Sequence, residues 1–275
     1  MDSIEKDVSY SCDIIEKKET PWNYDKIYSS ANDSIDYIMP LLNVEKKDIL
    51  TVLGSSDQAF HFYDNGASNV DLYDINKLTI YYYYLRTWII KYNNSFYPEY
   101  TKVKNLNEYL EIILNKVKPL NNKEEDAYKY WKKLISRTNK SIESNLFHRD
   151  YCYPGNEIYD LDNLKERIPQ EANFYNINLA GNVNLIKKYD VIFISNIIEW
   201  VLEDKWDIEK LVNNLYKLLK ENGKVVCTKF ALSGAGANEL KYFKSCFNYY
   251  PLADYFSDDI GKWTPGYVYQ KKVKR

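Results

Sequence analysis

The chain has 275 residues, enough for one elaborated domain or two small ones at ~150 residues each. Lys and Arg number 37 against 39 Asp and Glu, a net charge of −2, which excludes a protein that coats nucleic acid or anionic membrane through bulk charge. Hydrophobic residues at 45% and charged residues at 28% exclude global disorder.

From the N-terminus, Met1-Asp2-Ser3-Ile4-Glu5-Lys6 has no apolar stretch behind a basic start, so no secretion signal is expected. Ile49-Leu50-Thr51-Val52-Leu53 is a short apolar and β-branched run, the pattern of a strand buried on both faces. Gly54 ends it. Ser55-Ser56-Asp57 then supplies N-cap chemistry for a helix over Gln58 to Tyr63, and Asn65-Gly66 closes that helix with residues that tolerate a left-handed backbone. Val70-Asp71-Leu72-Tyr73 reads as a second strand ending at Asp74, so a right-handed parallel unit is expected.

From Lys77 to Gln170 the pattern turns helical. Leu106, Tyr109, Leu110, Ile113 and Val117 make one apolar face, and Ala127, Tyr128, Trp131, Leu134 and Ile135 another. A stretch this long is no bare loop, which predicts a helical insertion (about 77–170) over one edge or mouth of the sheet. Its greasiest run, Leu78 to Ile90, carries Arg86 and falls short of the ~18–20 apolar residues of a membrane span.

Beyond the insertion, Phe174 to Leu179 and Val191 to Ile194 read as strands. Ile208, Leu211, Val212, Leu215, Leu218 and Leu219 form a helical stripe capped by Asp207, and Asn222-Gly223 is expected to stop that helix before a strand over Lys224 to Phe230. Ser233-Gly234-Ala235-Gly236-Ala237 looks like a second nucleotide cradle, with Asp254 twenty residues past Gly234. Cys246 to Leu252 contains Pro251, however, and makes a poor strand to deliver that acid, so the glycine segment reads instead as a flexible loop near the ligand mouth. The basic end, Lys271-Lys272-Val273-Lys274-Arg275, reads as solvated. The expected fold is a single α/β domain over 1–275: a Rossmann-like sheet with helices on both faces and a helical insertion between the second and third strands.

The 28 tyrosines accompany abundant Lys, Asn and Ile and read as compositional bias, many of them half-buried. Cys12, Cys152, Cys227 and Cys246 show no C-x-x-C pairing, so they read as reduced thiols of a cytoplasmic protein. With only His61 and His148 available, no metal site is expected.

Ligands of an open parallel sheet sit beyond the carboxyl ends of the strands, where the chain order reverses. Gly54 lets backbone pass close to a ligand. The amides that follow, with Ser55 and Ser56, offer donors to an anion, and Asp74 stands where a carboxylate accepts ribose hydroxyls. The turn lacks the G-x-G-x-x-G of dinucleotide binders, which disfavours a pyrophosphate and favours a nucleoside with a small charged tail, such as S-adenosylmethionine.

Ile49-Leu50-Thr51-Val52-Leu53-Gly54-Ser55-Ser56-Asp57 with Val70-Asp71-Leu72-Tyr73-Asp74-Ile75-Asn76 resembles the cofactor-binding start of class I S-adenosylmethionine-dependent methyltransferases. The Ser-Asp-x-Ala turn, the Asp-Ile-Asn ending and the segment Tyr189 to Trp200 are similar, more narrowly, to the group that includes diacylglycerol 3-amino-3-carboxypropyl transferases. The resemblance implies Gly54, Ser55 and Asp57 around the methionine moiety, with Ser56 in the same turn. It implies Asp74 on the ribose hydroxyls and Ile75 against adenine, with Asn76 also among the cofactor-binding residues. Asn178 stands where the family commonly has an acid near the adenine amino group; Ser195 and Asn196 would face the transferred group, and Tyr28-Ser29-Ser30 would close over the cofactor.

The expected function is an S-adenosylmethionine-dependent transferase for a small molecule or a lipid or sugar headgroup, with methyl transfer favoured. Aminocarboxypropyl transfer and a non-catalytic cofactor-binding or interaction protein are the alternatives. If the acceptor needs a base, Glu199, His148, Asp150 and Tyr153 qualify by residue type. His148-Arg149-Asp150 matches a kinase triplet, but no Gly-rich loop with a partner lysine precedes it, which rejects a kinase. No nucleic-acid partner is expected, and oligomeric state is unreadable.

Overall fold

The computed structural model describes residues 3–16, 27, 28, 31, 33, 35–93, 106–138, 146–148, 160–198, 207–228, 236–251 and 266–272. In chain order its elements are α1 (Ser3–Glu16), β1 (Ile27–Tyr28), α2 (Ile35–Leu42), β2 (Asp48–Val52), α3 (Asp57–Asp64), β3 (Asn69–Asp74), α4 (Thr79–Asn93), α5 (Leu106–Leu114) and α6 (Asn122–Arg137). Then follow β4 (Phe147–His148), α7 (Leu161–Arg167), β5 (Asn173–Asn176), β6 (Tyr189–Ser195), α8 (Ile208–Leu218), β7 (Leu219–Thr228), α9 (Gly236–Cys246), β8 (Phe247–Pro251) and β9 (Gly266–Lys271). The chain forms two compact units: Met1–Asn32, Leu53–Asp64 and Asp74–Phe174 make the first, and Asp33–Val52, Asn65–Tyr73 and Tyr175–Arg275 the second.

The second unit is built on a seven-stranded sheet of order β5-β3-β2-β6-β7-β9-β8. β2 runs parallel to β3 and β6, and β6 to β7; β9 is antiparallel to both β7 and β8. The first five strands thus follow the doubly wound order, which reverses between β2 and β6, and the last strand inserts ahead of β8. This is a Rossmann-like α/β sheet.

Strand alternation divides the buried residues between two faces. On one, Leu50, Ile192, Ile194, Val225, Cys227, Tyr267 and Tyr269 pack with Leu211, Val212, Leu215 and Leu218 of α8 and Phe243 of α9. The stripe predicted for α8 is therefore its core face, and the Asp207 side chain caps it by accepting from the Lys210 amide at 2.9 Å. Ile49, Thr51, Val191, Phe193, Val226 and Val268 are buried on the other face. α2 lies there: Lys224, which shares that face with Val226, donates to the Leu41 carbonyl at 3.4 Å.

Four expectations change in this unit. The α8 helix stops at Leu218, and β7 already begins at Leu219. Asn222-Gly223 belongs to a bulge inside β7, where the pairing register with β6 jumps from Tyr189↔Leu219 to Val191↔Lys224. Asn222 takes φ 60° there, and a Cβ on Gly223 would come within 3.1 Å of the Lys220 and Tyr189 carbonyl oxygens, so a side chain there would push on backbone. Local turn chemistry was legible; which element it interrupts was set by pairing. Second, Phe247–Pro251 is a strand after all, tolerating Pro251 because β8 is the edge of the sheet and proline stands at its end. Third, β5 ends at Asn176, short of Leu179. Fourth, Lys271 is no solvated tail residue: it closes β9 and donates to the Tyr216 and Leu219 carbonyls at 2.9 and 2.8 Å.

The first unit is mainly helical, with a parallel pair of short strands in which Ile27 faces Phe147 and Tyr28 faces His148. Val117 lies past the end of α5 but is buried. Asn121 caps α6 through the Glu124 amide. Tyrosines do structural work here: Tyr81 stacks on Tyr130 at 4.1 Å between centroids and donates to Asp7 of α1 at 2.8 Å, while Ser11 and Tyr130 share a hydrogen bond of 2.8 Å. Tyr82, Tyr83, Tyr84 and Tyr130, with Tyr189 and Tyr269 in the second unit, are fully buried rather than half-buried. No helix among the described residues is long and apolar enough to cross a membrane.

Candidate cofactor site

In the first unit the chain turns at Gly54 with φ 46°, where a side chain would be strained although the space above is open, the nearest atom being the Gln58 Oε1 at 3.9 Å. The Gly54 amide donates to Asp74 Oδ2 at 2.9 Å, and the Asn76 amide donates to Asp74 Oδ1 at 2.9 Å. The sequence-predicted pair Gly54 and Asp74 is therefore in direct contact. Burial pushes the Asp74 carboxyl up to about 6, against the Asn76 and Gly54 amides, which favour its ionised form. Asn76 leads into α4: its side-chain oxygen accepts the Leu78 amide at 3.0 Å and its carbonyl accepts the Thr79 hydroxyl at 2.7 Å. Ile75, between these two buried residues, is 43% exposed.

Ser55 and Asp57 serve the turn itself. The Ser55 hydroxyl donates to Asp57 Oδ2 at 2.7 Å, the Ala31 amide donates to the same oxygen at 2.6 Å, and Arg86 pairs with Asp57 Oδ1 at 2.6 Å. Both Arg86 and Asp57 are completely buried, and the guanidinium also donates to the Ser55 carbonyl and lies over the Phe60 ring at 5.0 Å. Ser56, at φ 78°, has a buried hydroxyl with no hydrogen-bond partner among the described residues. Sequence reasoning noted Arg86 only as a charge in a greasy run; a buried guanidinium requires a counter-charge, and that requirement was the signal.

In the second unit, Asn178 folds back on its own chain, its side-chain oxygen accepting the Ala180 amide at 2.8 Å and its carbonyl the Gly181 amide at 2.9 Å. The side chain that the resemblance implies near adenine thus already holds a turn. Ser195 ends β6 with φ 49°; its hydroxyl donates to Asp33 Oδ2 at 2.6 Å and stands 3.4 Å from the Asn196 side-chain oxygen. Asp33 was missed, since nothing in its local sequence marks it.

Of the proposed bases, Glu199, Asp150 and Tyr153 lie outside the described residues, and His148 is described only as backbone of β4. Of the glycine cradle, Gly236 opens α9, while Ser233 to Ala235 and Asp254 lie outside; so do Ser29 and Ser30. Cys12, Cys227 and Cys246 are free thiols. No three metal-ligating side chains cluster among the described residues.

No protein-family model matches the chain, and no curated protein does. Among solved structures it is similar to a TehB-like SAM-dependent methyltransferase from Corynebacterium glutamicum, at 11% identity over 98% of both chains with a TM-score of 0.44. It is also similar to the magnesium protoporphyrin IX methyltransferase of Synechocystis, at 10% identity over 99% of this chain and 98% of that one, TM-score 0.41. A ribosomal protein L11 methylase from Lactobacillus delbrueckii subsp. bulgaricus shows 13% identity over 87% and 77%, TM-score 0.41. Similarity at this level says nothing of what this chain binds or acts on.

Proposed function

We propose that the protein binds S-adenosylmethionine at the Gly54–Asp74 turn and transfers its methyl group to an acceptor. The observation that carries this reading is the bond between the Gly54 amide and the Asp74 carboxylate at the end of β3, with exposed Ile75 next in the chain. A diphosphate needs free amides at such a glycine turn. Here a carboxylate occupies the Gly54 amide and would repel the diphosphate charge. Ribose hydroxyls are donors, and a carboxylate accepts such donors. Ile75 supplies an apolar surface for adenine. When bound, the sulfonium supplies the driving force of transfer, leaving the protein to align the acceptor and exclude water.

Calorimetry of S-adenosylhomocysteine binding tests this directly. Asp74→Ala should lose at least ~1.5 kcal/mol of affinity, about one charged hydrogen bond; unchanged affinity would remove the ribose role. Mass spectrometry of spent cofactor then identifies the transferred group, because methyl transfer leaves S-adenosylhomocysteine and aminocarboxypropyl transfer leaves 5′-methylthioadenosine.

A further inference from the structure

The sheet of the second unit ends on β8, which pairs with β9 on one side and, among the described residues, with no strand on the other. In an antiparallel pair every second residue spends its N–H and C=O on the neighbour, and the residues between turn theirs outward. The outer edge of β8 therefore carries backbone donors and acceptors in the register of a further strand. Phe247 is buried against Phe243 of α9, but Asn248 is exposed, and Tyr249 and Tyr250 are each 41% exposed. Alternation sends Tyr249 to the α9 face and Tyr250 to the other, so the edge carries an aromatic side chain on both faces.

Charge narrows the occupant. From Leu240 to Pro251 and from Tyr267 to Lys272 the charged residues are Lys241, Lys244, Lys271 and Lys272, without one acid. Lys271 is committed to the Tyr216 and Leu219 carbonyls, and Lys272 donates to the Lys244 carbonyl. Lys241 and Lys244 are exposed one turn apart on α9. Each lies over a tyrosine ring, that of Tyr242 and of Tyr249, at 5.0 Å from the centroid. A ring holds an ammonium in place and leaves its charge unneutralised. A second copy pairing β8 with β8 would set the lysines of one α9 beside those of the other, and like charges at that range repel. The edge thus rejects itself and accepts a strand that carries carboxylates. A nucleic acid could neutralise the lysines but has no peptide main chain to pair with the edge.

We propose that the outer edge of β8, with Lys241 and Lys244 of α9, is a docking site for an acidic, extended segment of a partner protein. The segment adds to the sheet as an eighth strand, its backbone pairing with that of β8. Its carboxylates on the α9 face meet Lys244 and Lys241, and its remaining side chains pack beside Tyr249 and Tyr250. The site belongs to the second unit alone and does not depend on the function proposed above.

Fluorescence polarisation on the full chain tests the site, with a fluorescein-labelled octapeptide of alternating Thr and Glu as probe. The comparisons are the same peptide with Lys for Glu, the acidic peptide N-methylated at every residue, and an oligouridylate of equal charge. The acidic peptide should bind, more weakly as salt rises, and each comparison at least tenfold less tightly. Hydrogen exchange across Phe247–Pro251 should slow when it binds. Lys244→Glu, matched to wild type by circular dichroism, should weaken the acidic peptide at least tenfold; should that variant not fold, Lys241→Glu carries the same comparison. Binding of the N-methylated peptide as tight as that of its parent would show attraction without strand pairing and overturn the proposal. So would no binding of the acidic peptide, equal binding of the oligouridylate, or wild-type affinity in the folded variant. A dimer of the chain alone, protected from exchange at β8, would give the edge to a second copy and overturn it too.

Discussion

Ser56 in the first unit and Ser195 in the second both hold a positive φ, 78° and 49°, that their side chains disfavour. Their surroundings stabilise this in different ways. The turn around Ser56 is locked by a fully buried ion pair, Asp57 with Arg86, in which the carboxylate also takes a backbone amide and a hydroxyl. Ser195 is held by neutral hydroxyls meeting one carboxylate. The first arrangement is sealed, and its charges serve the scaffold. The second gathers the ends of β6 and β7 onto one carboxylate.

Breaking the sealed pair should have the largest effect. Arg86→Met strands the Asp57 charge in the interior and should cost ~3–5 kcal/mol in urea unfolding. The Asp57→Leu, Arg86→Met double variant should recover much of that loss, because apolar replacement removes both buried charges together. Failure of the double variant to recover would mean that the hydrogen bonds to Ala31 and Ser55, and not the charge pair, hold the turn.

A middle-sized effect sharpens the role of Asp74. Its carboxyl titrates at about 6. Folding favours its protonated form, so its contribution to stability declines as pH rises from about 4 through 6. Ribose hydroxyls favour the ionised form. Affinity for S-adenosylhomocysteine should therefore be level above pH 7 and fall up to tenfold per pH unit below 6, with proton release on binding. Calorimetry in buffers of different ionisation enthalpy reads both. A flat profile in wild type would separate Asp74 from the ligand.

The smallest effect belongs to the amino-end edge of the sheet. Lys220 bridges Asp48 at 2.6 Å and Asp190 at 2.7 Å, but its side chain is 39% exposed. Lys220→Ala should cost no more than ~1 kcal/mol, and less in high salt.

Much of the fold was legible. β2, α3, β3 and β6 fall within a residue or two of the runs that predicted them, and α8 starts where its stripe does, because a strand buried on both faces and an amphipathic helix write their periods into consecutive residues. Gly54 and Asp74 were legible as a pair because strand ends project to one edge at a spacing set by a single crossover. The bulge at Asn222-Gly223 and the strand at Phe247–Pro251 were misread because both depend on which strand lies alongside, which no local pattern states.

What the sequence determined by itself was the parallel unit, its glycine turn and the acid that ends its second strand, since each follows from neighbours within a few turns of chain. The tertiary structure alone decided which distant partners the buried acids take. Arg86 finds Asp57 from 29 residues away, and Ser195 finds Asp33 from 162. Pairings of that range arise from chain closure over a sheet, where a buried polar group takes whichever partner the packing brings within reach.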